Sequence, residues 1–411
     1  MRRRHRRTAR RAGAMIIGML LAAAAAVPAT PAAHALPPAD VPAIGVDTGR
    51  FKLPIGCTIS LAGVPVFWLP TDVDVQGVAP VQLGPGQEFW LTQGSGSITF
   101  PSWLTSLAPL LGLTSADARI TDLSIGASTS TPESINIAEK EPLEIPGIPI
   151  EAGKPLKVGL PLEGTFDVGP FTAASGGATT LKFDGAVAEV DLKSSAGFTL
   201  PIKADCEASQ GNALLKIAIG GPAGQPPARI QGAPLNFPEP ASNQLVGIIN
   251  APYRCDLGGE PLDVGIAVGA HIPLVVRRGG SFAFDRASGA LTLPAATVNR
   301  LIDQGHTTAR GTVTRQDLVV EGGTPATQNV AGDGIAIPET RLERDRRLVI
   351  PLPAEGTLTA GPFAPAPGAE TVAVSLGAAA ADLSFDGSSE VVRAECAAPS
   401  PKVYLVENPV T

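Results

Sequence analysis

VQLGPGQEFWLTQGSGSITFP, residues 81–101, is matched without a gap by LVVRRGGSFAFDRASGALTLP, residues 274–294, at an offset of 193 positions. Gly86 falls on Gly279, Phe89 on Phe282, Gly96 on Gly289, Thr99 on Thr292 and Pro101 on Pro294. Farther along, LPLEGTFDVGPF at 160–171 is answered by LPAEGTLTAGPF at 352–363. Two separated stretches repeating at nearly one spacing mark a duplicated unit rather than chance. Each copy is framed by cysteines: Cys57 and Cys206 around the first, Cys255 and Cys396 around the second.

Both copies read as extended chain. Residues 188–192 (AEVDL), 281–285 (SFAFD) and 372–376 (VAVSL) alternate with period two, as a sheet with one buried face requires. With 46 Gly and 40 Pro, turns interrupt the chain too often for long helices. Gly96 and Gly289 are read as hairpin-turn positions, where a positive φ favours glycine. Pro101 and Pro294 each suit the start of a brief helix. In the second copy Val298, Leu301 and Ile302 share one face before Gly305 ends the helix. Trp103, Leu104, Leu107, Leu110 and Leu111 are the counterpart in the first copy, shortened by Pro109, with Trp103 expected in the core. The fold class is therefore all-β: two tandem Ig-like antiparallel β-sandwich modules, each with one short helix and one internal disulfide, with a β-barrel, which shows the same alternation, as the alternative closure.

The domain layout follows as a signal peptide at 1–35, a first β-module at 36–220, a Pro/Gly-rich linker at 221–250 and a second β-module at 251–411. LLKIAI at 214–219 and VYLVENPV at 403–410 are read as matching last strands. The N-terminus joins a basic MRRRHRRTARR segment to an apolar run of about 16 residues, short of the ~20 that span a bilayer, and then to a small-residue cleavage motif ending at Ala35. Export by the general route is favoured over the twin-arginine route. Cleavage would remove seven arginines and take the net charge from −7 to −14. Such an acidic chain repels nucleic acid, and no later apolar stretch is long enough for a transmembrane helix. Four cysteines allow three pairings, and two independently folding copies select Cys57–Cys206 and Cys255–Cys396.

No catalytic or metal-binding constellation emerges. The first module has no histidine, so Ser95 in Gly94-Ser95-Gly96 lacks the base that a serine nucleophile needs. His306 reads as a residue at a helix end. Glu163 and Glu355 occupy one repeated position and face water at a turn, rather than forming the pair of acids that glycoside hydrolysis needs. Cysteine and histidine spacings match no metal site, and no cofactor motif appears. The one asymmetry is aromatic: Trp68, Trp90 and Trp103 all belong to the first copy. Trp68 and Trp90 are the candidate contact surface, since an indole face stacks on sugar or lipid.

CDLGGEPLDV from Cys255, ALTLPAATVNRL at 290–301 and the closing ECAAP at 395–399 resemble the actinobacterial secreted domains of unknown function. The resemblance covers residues 253–411 well and 50–220 more loosely. It implies an exported all-β extracellular or envelope protein of a high-GC Gram-positive bacterium and assigns no activity. The expected function is non-catalytic binding of a wall polymer, lipid or protein partner. A purely structural or adhesive array and an enzyme of unrecognised type are the alternatives.

Overall fold

The computed structural model describes residues 45–162, 164–208, 212–220 and 244–411. The expected signal peptide, Glu163 and linker residues 221–243 lie outside them. In module one the principal strands are β1 (Gly45–Leu61), β2 (Val64–Ala79), β3 (Glu88–Phe100), β4 (Leu113–Ala127), β5 (Leu143–Pro149), β6 (Leu156–Leu160), β7 (Phe166–Ala173), β8 (Gly177–Ser194), β9 (Thr199–Ala208) and β10 (Ala213–Ile219). A short helix α1 (Ser102–Thr105) follows β3. Module two repeats the order: β11 (Gln244–Leu257), β12 (Glu260–Pro273), β13 (Phe282–Leu293), α2 (Ala295–Asp303), β14 (Thr308–Glu321), β15 (Ile335–Arg341), β16 (Leu348–Leu352), β17 (Leu358–Pro365), β18 (Thr371–Phe385), β19 (Val392–Cys396) and β20 (Tyr404–Pro409).

The chain is an all-β protein of two sandwich modules. In module one the ladder runs β6, β3, β2, β1, β9, β8, β4, β5, every pairing antiparallel. The two layers are thus joined along one edge, where β1 meets β9, and they enclose an apolar interior. The alternation decides which side faces in: Phe51, Leu53, Ile55, Cys57 and Ile59 of β1 are buried, while Lys52, Pro54, Thr58 and Ser60 between them are not. Phe89 and Phe171 stack at 5.4 Å in that interior, and Phe282, Phe284 and Phe363 cluster at the matching place in module two.

Both disulfides join residues directly opposite one another in a ladder. Cys57 pairs in register with Cys206 and is bonded to it; Cys255 is likewise bonded to Cys396. Each bond thus ties the first strand of its module to the neighbouring strand across the edge where the two layers join.

The modules share main-chain pairing. The first half of β1 pairs antiparallel with the first half of β11, from Gly45 opposite Asn250 to Lys52 opposite Gln244. The expected 221–250 linker is therefore shorter at its end, because Gln244–Asn250 already belongs to a strand. This pairing covers an edge that would otherwise offer unpaired amides to another chain. Beside it, Lys216 of β10 lies 2.5 Å from Glu407 of β20, both side chains mostly buried, with Thr180 donating to Glu407 at 3.0 Å and the Lys216 ammonium 4.9 Å from the Tyr404 ring centre. Equivalent strands of the two modules thus face one another at the junction.

Gly96 and Gly289 are not turns. Each lies inside a strand without positive φ, and an added Cβ would come 2.5 Å from the Asp74 carbonyl oxygen or 2.6 Å from that of Ala267. Glycine is needed there because two backbones approach closely. The positive φ falls three residues earlier, at Gln93 and Arg286, where both ladders shift register in a β-bulge. Gly96→Ala or Gly289→Ala should lower stability by about 1–3 kcal/mol, since the obstructing atom is main chain and cannot swing aside. Chemical denaturation checks this, and an unchanged midpoint would refute it.

Candidate functional site

The two interiors differ in content. Module one encloses a cavity of about 590 Å³, whereas the corresponding space in module two is about 150 Å³. The larger lies within the range of small-molecule sites. Its walls come from β1, β2, β3, β4, β5, β6, β8 and β9, and α1 lies at its mouth. No lining residue is charged, and Thr105 supplies the only hydroxyl. That hydroxyl is already committed, its one proton lying between the carbonyls of Lys154 at 2.7 Å and Ser102 at 2.9 Å. Indoles of Trp68 and Trp103 contribute the remaining polar hydrogens.

Strand length beyond the disulfide opens this space. Cys57 lies four residues before the end of β1, Cys255 only two before the end of β11. Cys206 lies seven residues into β9, Cys396 four into β19. Two or three extra residues per wall strand add about 7–10 Å of height at ~3.3 Å per residue. The alternation continues up these walls: Ala186, Ala188, Val190 and Leu192 of β8 all face the cavity, passing from buried to half-buried toward the rim.

The lids differ as well. In module two, α2 buries Val298 and Leu301 against the core, and Thr297 donates to the Asp263 carbonyl at 3.0 Å. Its end is latched to the β18–β19 hairpin. The Asp386 carboxylate accepts from the Thr307 hydroxyl and amide, both at 2.7 Å, and from the Thr308 amide at 3.2 Å. His306 lies 3.1 Å from the same carboxylate and stacks on Phe385. The Thr307 hydroxyl, the Thr307 amide and His306 together hold the Asp386 carboxyl well below the usual carboxylate range.

Module one has no such seal. α1 is a single turn, continued by a 3₁₀ turn at Ala108–Leu111, and the hairpin beyond it is tied back through the Ser195 amide to the Gly112 carbonyl. Helix residues expected to be covered by the core are exposed: Trp103 is 49% exposed, Leu110 80%, and Leu107 and Leu111 are also exposed, although Trp103, Leu107 and Leu111 still border the cavity. Two features account for this, Pro109 and the placing of the leucines. Pro109 ends the α-helical run, and by the 193-residue offset the buried positions of Val298 and Leu301 are held here by the smaller Thr105 and Ala108, while Leu107 and Leu110 stand where α2 has Arg300 and Asp303, on the outer face.

Of the two tryptophans singled out from sequence, the structure brings one to the cavity. Trp68 is 58% exposed and packs on Gly56, where a Cβ would come 2.4 Å from its Nε1. Trp90 is half-buried against Gly169 and is not part of the cavity wall. Trp103, expected inside, joins Trp68 at the mouth. Ser95 accepts from Gln76 at 2.8 Å within the β2–β3 ladder, and Glu355 is exposed at its turn. Among the described residues no cluster of His, Cys, Asp and Glu is arranged to hold a metal ion.

The rim residues Val64, Val66, Phe67, Leu110 and Phe198 were not anticipated, yet a signal for them exists. Residues 53–71, 89–116 and 194–202 contain no charged side chain, and these three segments meet at one mouth. The corresponding parts of module two carry Asp256, Glu260 and Asp263, Arg300 and Asp303, and Asp386 and Glu390.

Residues 252–403, most of module two, match the model of a family of unknown function, DUF6801. No curated protein matches the chain. The match falls on the module with the filled interior, so it carries no information about what the cavity of module one holds.

Proposed function

We propose that the protein is a non-catalytic binder of long-chain apolar molecules, lipid acyl chains above all, held in the cavity of module one. The observation that carries this reading is the 590 Å³ space walled entirely by uncharged, almost wholly apolar side chains. Water gains few hydrogen bonds there, and an apolar chain gains dispersion contacts and loses hydrated surface. A wall polysaccharide would need hydrogen-bond donors and acceptors that the lining does not offer. Two disulfides and the absence, among the described residues, of any helix long and apolar enough to cross a membrane are compatible with an exported protein. An exported location, which the resemblance to actinobacterial secreted domains implies, supports this reading, since lipids are abundant long-chain ligands at the cell envelope.

The test is titration of residues 36–411 with a fluorescent long-chain fatty acid. Burial of about ten methylenes at ~0.8 kcal/mol each corresponds to a Kd on the order of 1 µM. Saturable one-to-one binding, displaced by unlabelled fatty acid, is the expected result. Absence of saturable binding would remove the proposal.

A further inference from the structure

We infer that the mouth of module one docks on the surface of a lipid bilayer, its apolar rim inserted among the chains, so that a lipid tail passes between membrane and cavity without crossing water. This rests on the acyl-chain reading of the cavity and adds the route by which it fills.

Three elements build the rim. Residues 61–68, LAGVPVFW, form the β1–β2 hairpin, and all eight are exposed. Leu107, Leu110 and Leu111 project from the turn after α1, and Phe198, 48% exposed, tips the β8–β9 hairpin. Val64 and Leu110, at 65% and 80% exposure, stand on the rim without lining the cavity. Apolar side chains gathered at three adjoining loop ends form the kind of contiguous patch that marks an interaction surface.

Its charge pattern selects the partner. No charged residue lies in any of the three rim segments, and the lysines just below them are already paired, Lys193 with Asp117 and Lys154 with Glu151 at 2.5 Å. Residues 36–411, with a net charge of −14, gain nothing from an anionic surface, so the complementary surface is one of zwitterionic lipid. Trp68 and Trp103 flank the opening with half-exposed indoles, whose polar N–H and apolar ring suit the headgroup boundary. The rim is also continuous with the cavity through Val66, Phe67 and Leu107, which belong to both. A protein partner would cover the mouth and leave the space beneath it empty, whereas a bilayer supplies the chains that fill it.

The experiment is flotation of residues 36–411 with phosphatidylcholine vesicles, beside a Val64→Glu/Leu110→Glu variant, with fatty-acid binding in solution measured on both. Both positions are exposed, so the variant should keep its fold, checked by an unchanged melting temperature and full disulfide content. The wild-type chain is expected to float with the vesicles, and the variant to show at least tenfold weaker partitioning with the same solution affinity for fatty acid. Transfer of the labelled fatty acid from vesicle to protein should slow at least tenfold in the variant. Adding phosphatidylglycerol should not strengthen wild-type binding. Equal flotation of the two proteins, or no flotation of either with fatty-acid binding intact, would overturn docking while leaving the cavity reading in place. Self-association that the substitutions abolish, without flotation, would assign the rim to a second copy and overturn it as well. Loss of fatty-acid binding in both proteins would instead strike the cavity reading.

Discussion

Ala188→Phe is expected to weaken binding of a long-chain fatty acid by about 100-fold while leaving the melting temperature unchanged or slightly higher. Ala188 lies on β8, half-buried and facing the cavity, opposite Ile120 of β4 and Ala204 of β9. A benzyl group there grows into empty space instead of into packed neighbours. It takes the room of roughly three to four methylenes, worth ~0.8 kcal/mol each, so the lost burial is about 2.5–3 kcal/mol, or two powers of ten in Kd. Filling a void restores dispersion contacts that the lining lacks, which is why stability should not fall. The two readouts moving in different directions separate occlusion of a binding site from general damage. Titration and thermal unfolding on one preparation provide both. Unchanged affinity would mean that the ligand sits elsewhere, and a large drop in melting temperature would mean that the space is less open than its volume indicates.

Removing the Cys57–Cys206 bond should have the largest effect on stability. The bond closes a loop with a sequence separation of 149 residues, for which chain entropy gives about 5 kcal/mol, with measured losses for native bonds of about 2–5 kcal/mol. Cys57→Ala/Cys206→Ala should therefore lower the melting temperature by roughly 10 °C or more, at about 2–4 °C per kcal/mol for a chain of this size class. The loss reaches function too, because Cys206 forms part of the cavity wall and its bond holds β1 to β9 at the base of the mouth. Fatty-acid affinity should fall with stability in this variant, in contrast to Ala188→Phe. Cys255–Cys396 closes a loop of similar separation, 141 residues, so its removal should destabilise to a similar degree but spare fatty-acid binding at temperatures where module one stays folded. Differential scanning calorimetry with ligand titration checks both variants, and a melting shift below about 2 °C for Cys57→Ala/Cys206→Ala would contradict the account.

The contrast between the modules shows how one pattern of residues serves two ends. Both place apolar side chains on the inner face of every wall strand, and both start a helix after a proline at the top of the third long strand. In module two the helix is nine residues long and carries Val298 and Leu301 into the opening, and Asp386 secures its end. In module one the walls rise higher, the helix is cut to one turn, and Thr105 and Ala108 stand where α2 has Val298 and Leu301. Higher walls with a shorter plug leave a hollow.

Particular residues show how much of this could be read in advance. Alternation in β8 and β18 identifies extended chain, Gly305 marks the end of α2, and the last strands β10 and β20 are visible as LLKIAI and VYLVENPV. Gly96 and Gly289 were read as turns because local sequence does not distinguish a glycine needed for positive φ from one needed to let a neighbouring carbonyl approach. Trp103 is expected in the core as an apolar residue of the helix, but the 193-residue offset sets it opposite Ala296, an exposed position of α2, so it falls at the mouth.

The all-β class, the doubled layout and the framing of each copy by cysteines were determined by the sequence alone, since period-two alternation, turn residues and repeat spacing are properties of neighbouring residues. Whether an interior is filled or hollow was decided only by the tertiary structure. An inward-facing valine is written the same way in both modules, and the space it borders depends on the length of all the wall strands, the reach of the helix above them and the loops that close or leave the mouth. Cavity volume is a sum over distant elements, and no local pattern carries that sum.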